Sequence, residues 1–171
     1  EAAIRLAAYT DGPFYIRLSR PATPVVHNND FQFKLGEAEI IRDGSDVSIL
    51  ACGVMVSRAI EAAEMLLQQG IEARVMNVAT LAPIDEAAII KAAGETGCLV
   101  TAEEHYVRGG LNSVVSQVVG AANPVPVEAV ALVGYAESGK GFELLDKYGL
   151  STTDLITAAL RAIARKKEYL K

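Results

Sequence analysis

From Asp46 onward the apolar pattern switches repeatedly between two periods, and no other feature limits the fold so strongly. Val47 to Cys52 has the length and character of a buried strand. Val56, Ala59, Ile60, Ala63, Leu66 and Leu67 then recur at helical spacing until Gly70 stops them. Ala73 to Val78 predicts the next strand. Pro83 opens a helix with Ile84, Ala87, Ala88 and Ile89 inward, ending near Gly94. Cys98 to Ala102 predicts another strand, Gly110 to Ala121 a helix, and Val125 to Val133 a further strand. Phe142 to Tyr148 reads as a short helix closed by Gly149. Ser151 or Thr152 caps a last helix that runs to about Lys167. Arg161, Arg165, Lys166 and Lys167 gather at its C-terminus, where the helix dipole favours cations.

Strands that alternate with helices of about 10–15 residues build βα units and a mainly parallel sheet covered on both faces. Glu37 to Arg42 is a further short strand. Asp43-Gly44 turns it into strand 46–52, so the two run antiparallel. The expected fold over residues 36–171 is α/β. It is a three-layer α/β/α domain with a mixed, mainly parallel five-stranded sheet and one antiparallel edge strand.

The first residues do not read as the start of a domain. EAAIRLAAYT resembles the tail of a helix without an N-cap, and Asp11-Gly12-Pro13 makes a turn. Phe14 to Leu18 predicts a short strand, ended by Pro21 and Pro24. A lone helix, turn and strand has nothing to pack on. Residues 1–24 are therefore expected to be the remnant of a domain whose bulk lies elsewhere. The other reading is an arm that packs on its own domain or on a neighbouring subunit. Residues 25–35 read as a linker, with Phe31 and Phe33 as docking anchors.

Half of the residues are hydrophobic (51%) and 22% are charged, enough for a sizeable core and too apolar for disorder. A formal net charge of -5 gives no reason to expect a nucleic-acid partner. No apolar run approaches the roughly 18–20 residues of a membrane span. Cys52 and Cys98 match no metal or redox spacing and are expected to be core thiols, which fits a cytoplasmic protein.

In open α/β sheets, ligands bind beyond the carboxyl ends of the strands. Three groups of residues qualify there. Gly134 to Gly141 nearly spells a P-loop, but Gly141 stands where a magnesium-binding Ser or Thr is needed. Loose anion binding by its amides and Lys140 is the remaining functional reading, against a plain Gly-rich connection. Glu103 and His105 share one side of a strand end, so Glu103 can tune His105 as an acid or base. The alternative is a polar loop at a domain interface. Arg17 and Arg20 lie in an otherwise apolar strand, Arg17 on the side of Ser19 and Arg20 on the other. Arg20 suits a bidentate grip on a phosphate, or equally a surface or interface ion pair.

Four segments, in order, resemble the transketolase family. Gly12-Pro-Phe-Tyr-Ile-Arg-Leu-Ser-Arg20 resembles the final strand of its pyrimidine-binding domain. The stretch from Gly36 to Gly53 is similar to the opening of its C-terminal domain. Glu103-Glu-His-Tyr-Val-Arg-Gly-Gly-Leu111 and the run from Tyr135 to Leu150 continue the match. 1-Deoxyxylulose-5-phosphate synthases and the β subunits of 2-oxo-acid dehydrogenases share the fold. The Leu-Ser-Arg motif and the Glu-Leu-Leu-Asp-Lys-Tyr-Gly-Leu run favour transketolase over both.

The resemblance implies a transferase that moves a two-carbon glycolaldehyde unit from a ketose phosphate to an aldose phosphate, with thiamine diphosphate and Mg2+. It places the family's magnesium ligands, cofactor-activating Glu and catalytic histidines before Glu1. This chain is then expected to hold no catalytic, cofactor-binding or metal residue and to be inactive alone. Its expected partners are a second copy, or the missing N-terminal part or subunit of the same enzyme, and phosphorylated sugars. The resemblance also carries one residue over: the Arg of Leu-Ser-Arg contacts the substrate's terminal phosphate in the family, and its match is Arg20. A non-catalytic assembly module or small-anion-binding module is the alternative.

Overall fold

The computed structural model describes residues 1–20, 22–28 and 31–169. Pro21, the linker's Asn29 and Asp30, and Leu170 and Lys171 lie outside the described residues. The strands are β1 Glu39–Arg42, β2 Val47–Ala51, β3 Ala73–Asn77, β4 Leu99–Tyr106 and β5 Val127–Leu132. The helices are α1 Ala2–Ala8, α2 Met55–Leu67, α3 Glu86–Thr96, α4 Leu111–Ala122, α5 Gly141–Lys147 and α6 Thr152–Tyr169. The sheet order is β1-β3-β2-β4-β5, with β1 antiparallel and the other four strands parallel.

The alternating pattern explains the layers. Strands β2 and β3 are buried at every position because helices cover both of their faces. Val47, Ile49, Ala51, Val75, Val100 and Ala102 pack with α2 and α6 in one core. Leu50, Met76 and Leu99 turn to the other side and meet Ile89, Ala92 and Ala93 of α3 and Leu111, Val115 and Val119 of α4. Burying a side chain such as Leu50 or Leu111 contributes about 2–3 kcal/mol. The three-layer α/β/α sheet domain is the one expected.

Its local details differ from the expectation in four places. The connection from β1 to β2 is not a hairpin. β1 runs in the expected direction, but it pairs with β3, Glu39 opposite Asn77 and Ile40 opposite Met76. The turn after β1 must therefore pass over the start of β3 to reach β2. Gly44 presses on that backbone, and a Cβ there would lie 2.5 Å from both the Ala73 carbonyl carbon and the Arg74 nitrogen. The Asp46 amide donates to the Glu72 carbonyl (3.0 Å) and the Glu72 amide to the Asp46 carboxylate (2.8 Å), which locks the crossing.

The strand expected over Phe14–Leu18 does not form. These residues are exposed and pair with no sheet among the described residues. Pro83 does not open α3. It follows a cis peptide bond, and Asp85 caps the helix by accepting the Ala88 amide at 3.0 Å. Ala87 is exposed rather than inward, and the helix runs through Gly94 to Gly97, whose φ of +67° ends it.

The basic cluster of α6 does more than face its own helix end. Arg161 and Arg165 grip Glu128 of β5 at 3.1 and 2.7 Å. Lys166 Nζ donates to the Thr96 carbonyl at the end of α3 (2.7 Å), and its stem lies 3.0 Å from a Cβ built on Gly97. A pair of glycine substitutions separates close approach from helix entropy. Gly44→Ala is expected to lower stability by about 1–3 kcal/mol, because backbone must move. Gly120→Ala, in α4 with no atom within 4 Å of the new Cβ, is expected to raise it by about 0.5–1 kcal/mol. Urea melts of the two variants measure both.

Candidate functional site

The chain steps from β2 to β3 on one side and then crosses to β4 and β5 on the other. The reversal lies between the carboxyl ends of β2 and β4, the place where this sheet class opens a crevice. β2 stops pairing at Ala51, opposite Ala102, whereas β4 continues to Tyr106. Residues 103–106 thus project as a ledge beyond the edge of β2. Pairing with β5 is irregular between Ala102 and Tyr106, so contacts rather than alternation assign the directions. Val100 and Ala102 pack with α2 and α6, Glu103 meets the amides of α4, and Glu104 meets the N-terminal segment.

Glu103 is 1% exposed, and both of its oxygens are occupied. Oε2 accepts the Leu111 amide at 2.7 Å and Oε1 the Asn112 amide at 2.8 Å. A buried carboxylate there completes amides that the helix itself cannot pair and meets the positive end of the dipole. Gly110 stands at the N-cap, and a Cβ on it would collide with Glu103 Oε2 at 1.9 Å. Glu103 is thus the cap of α4, a role not assigned to it from the sequence. A signal was present: α4 is preceded by Gly109-Gly110, with no Ser, Thr, Asp or Asn to cap it. His105 Nδ1 lies 4.0 Å from Glu103 Oε2 and 3.0 Å from the Tyr106 carbonyl oxygen. The pairing of Glu103 with His105 exists, but the carboxylate is held first by α4.

The N-terminal segment meets this ledge. Ser19 Oγ donates to Glu104 Oε2 at 3.0 Å, across 85 positions of sequence. The Arg17 charge acts on the Cys52 thiol just past β2. Ser19 thus joins an irregular segment to the ledge. Arg20 is exposed and makes no hydrogen bond or ion pair among the described residues.

The near P-loop builds no anion cradle. Residues 133–143 are exposed, Lys140 pairs with Glu143 at 3.2 Å, and Glu137 is bound by Lys147 and by its own amide's bond to Tyr148 Oη. Its helix, α5, is only seven residues long. Tyr135 at its start meets Tyr106 edge-on, with centroids 5.8 Å apart.

Two clefts lie away from the ledge. One of about 360 Å3 sits at the amino ends of the strands, lined by Arg42, Asp43, Arg74 and Glu95. Arg74 there is already paired with Asp43 (2.8 Å) and Glu95 (2.5 Å). The other lies along the linker, where Phe31 stacks on His27 at 3.8 Å and Phe33 lines a gap beside Glu39 and Asn77. His27 reaches Glu39 (3.0 Å) and Asn77 (3.3 Å), so the linker docks on the β1–β3 edge.

Burial, reinforced by Glu103, pushes the Cys52 thiol up to about 11, against the pull of Arg17. Burial likewise raises Cys98 to about 11. Both thiols are protonated at neutral pH and are poor nucleophiles. With a disulfide-exchange reagent at pH 8, the native chain is expected to react roughly 100-fold more slowly than the urea-unfolded chain. A raised thiol pKa stabilises the fold fully below the unfolded value of 9.0, and that contribution is lost as pH rises towards about 11. A variant carrying Cys52→Ala and Cys98→Ala is expected to lose stability less steeply across that window, as thermal melts will show.

The family of transketolase C-terminal domains matches residues 36–155. The 6-deoxy-6-sulfo-D-fructose transketolase subunit SqwH of Clostridium sp. (strain MSTE9) is 44% identical over 91% of this chain and 49% of its own length. An apulose-4-phosphate transketolase subunit of Phocaeicola vulgatus is 39% identical over 90% of this chain and 49% of its own. A solved structure described as a split-gene transketolase, inactive beta4 tetramer, superposes with a TM-score of 0.94 at 41% identity. That match covers 96% of this chain and 55% of the other. The chain thus spans about half the length of these relatives. The family match and this agreement in sequence and fold lead to one assignment: the chain belongs to the transketolase family and carries its C-terminal domain.

Proposed function

We propose that this chain is the C-terminal part of an enzyme that transfers a two-carbon glycolaldehyde unit from a ketose phosphate to an aldose phosphate. In this reading residues 1–24 belong to the preceding pyrimidine-binding domain, 25–35 link it, and 36–171 form the C-terminal domain. The enzyme works in the cytoplasm, in keeping with two unpaired thiols. Relatives described as transketolase subunits, each about twice as long, support a partner subunit or the remainder of the same polypeptide.

The described residues do not fit thiamine diphosphate and Mg2+. Magnesium needs converging oxygen donors. Among the described residues no three His, Cys, Asp or Glu side chains converge to hold a metal ion. The amides of α4 that could receive a diphosphate already bind Glu103. In this reading the rest of the enzyme holds the cofactor.

What this chain offers to the substrate is Arg20. The observation that carries the reading is its exposed guanidinium, without a hydrogen bond or ion pair among the described residues, beside the anchored Ser19. A guanidinium free of carboxylates can take two phosphate oxygens at once. In the complete enzyme, Arg20→Ala is expected to raise KM for phosphorylated sugars about 10- to 100-fold, the loss of a charged hydrogen bond. KM for unphosphorylated sugars should hardly move, and an equal rise for both kinds would remove the reading.

Assembly is the second part of the proposal, favoured by exposed apolar side chains at the carboxyl edge of the sheet. Val133 and Tyr135 are 94% and 95% exposed, and Tyr15 and Leu18 are 90% and 72% exposed. The isolated chain is expected to self-associate without activity. Light scattering should give a mass above the 18.1 kDa of one chain, whereas a strict monomer overturns self-association.

A further inference from the structure

We propose that Glu104 is a positioning residue for Arg20: its carboxylate holds Ser19, and so sets the segment from which the arginine reaches a phosphorylated substrate. The inference rests on the reading of Arg20 as a phosphate ligand. Three observations carry it. First, residues 11–20 have no sheet partner, and no backbone hydrogen bond anchors residues 13–20 among the described residues. The bond from Ser19 Oγ to Glu104 Oε2 is the one hydrogen bond that residues 11–20 make there. Without it, no hydrogen bond among the described residues sets the orientation of this stretch.

Second, the two neighbouring carboxylates on the ledge meet different partners. Glu103 is consumed by the amides of α4, so it cannot reach the segment. Glu104 makes no other hydrogen bond or ion pair among the described residues. It is left for a partner that comes from outside the sheet. A cap on Glu103 and an anchor on Glu104 explain why two acidic side chains adjoin at a strand end, where their mutual repulsion is a cost.

Third, Arg20 follows the anchored Ser19 directly, is exposed, and makes no hydrogen bond or ion pair among the described residues. An anchor at Ser19 therefore fixes the direction of Arg20 without touching its guanidinium. A displacement of about 1 Å in a binding group is enough to weaken it strongly. This makes the C-terminal domain a platform that aims a residue of the preceding segment.

Steady-state kinetics of the complete enzyme with phosphorylated and unphosphorylated acceptors tests the proposal. The expected result for Glu104→Ala is a rise of about 3- to 10-fold in KM for the phosphorylated acceptor, with kcat nearly unchanged. KM for the unphosphorylated acceptor should stay near its original value. Ser19→Ala should show the same effect, and the double variant should be no worse than either single one. Glu104→Gln keeps an acceptor oxygen for the Ser19 hydroxyl and should restore most of the affinity. Hydrogen exchange of amides 14–20 should quicken in Glu104→Ala and not in Glu104→Gln.

Additive effects of Ser19→Ala and Glu104→Ala would overturn the proposal. So would an equal loss for both acceptors, or unchanged exchange and kinetics in Glu104→Ala. The Arg20→Ala arm reads the phosphate assignment separately. If it is selective for phosphorylated acceptors while Glu104→Ala is silent, the assignment stands and the positioning inference falls. If Arg20→Ala is unselective, the phosphate assignment falls with it, whatever exchange shows for the anchor.

Discussion

A right-handed crossover can put its helix on only one face of the sheet, and the direction of the step decides which. The chain steps from β2 to β3 in one direction, so α2 covers one face. It then reverses through β4 to β5, so α3 and α4 cover the other. β2 is left at the centre, and the reversal opens at its carboxyl end, against β4. The ledge 103–106, the cap of α4 and the contact with Ser19 all follow from that one reversal. The last helix, α6, returns to the face of α2 and ties the two layers at the opposite end through Lys166 and Thr96.

Open α/β sheets place a crevice at such a reversal, and here groups of the chain itself meet in it. The amides of α4, which could bind an anion, are satisfied by Glu103. Glu104, one residue on, binds the segment that precedes the domain. The same geometry that elsewhere admits a ligand here receives a piece of polypeptide. The segment held in this way carries the exposed Arg20 next to its anchor.

Local rules were legible wherever a short stretch decides its own shape. The strand and helix periods of residues 46–167 read directly, as did Gly70 and Gly149 as stops, because apolar spacing is a local property. The same reasoning failed at β1. A tight turn after Arg42 predicts a neighbour in β2, but β3 arrives later in the chain and takes the place between them. It failed again at Pro83, where the cap comes from Asp85, a residue also held by the Ala38 amide at 2.9 Å. Spacing alone puts Ala87 inward, but it lies on the exposed side of α3 while Ile84 and Ala88 pack against the core.

The amino-acid sequence by itself determined the α/β class, the order of elements and, through four segments, the resemblance to the transketolase family. It also marked Arg20, since a guanidinium in an apolar stretch is visible without coordinates. What it could not contain is which carboxylate meets which amide. Glu103 and Glu104 are identical in kind and adjacent in sequence, and only their tertiary contacts at the end of β4 separate cap from anchor. Pairing across 85 positions depends on how far β4 projects past β2, and strand registers are set by packing of the whole core.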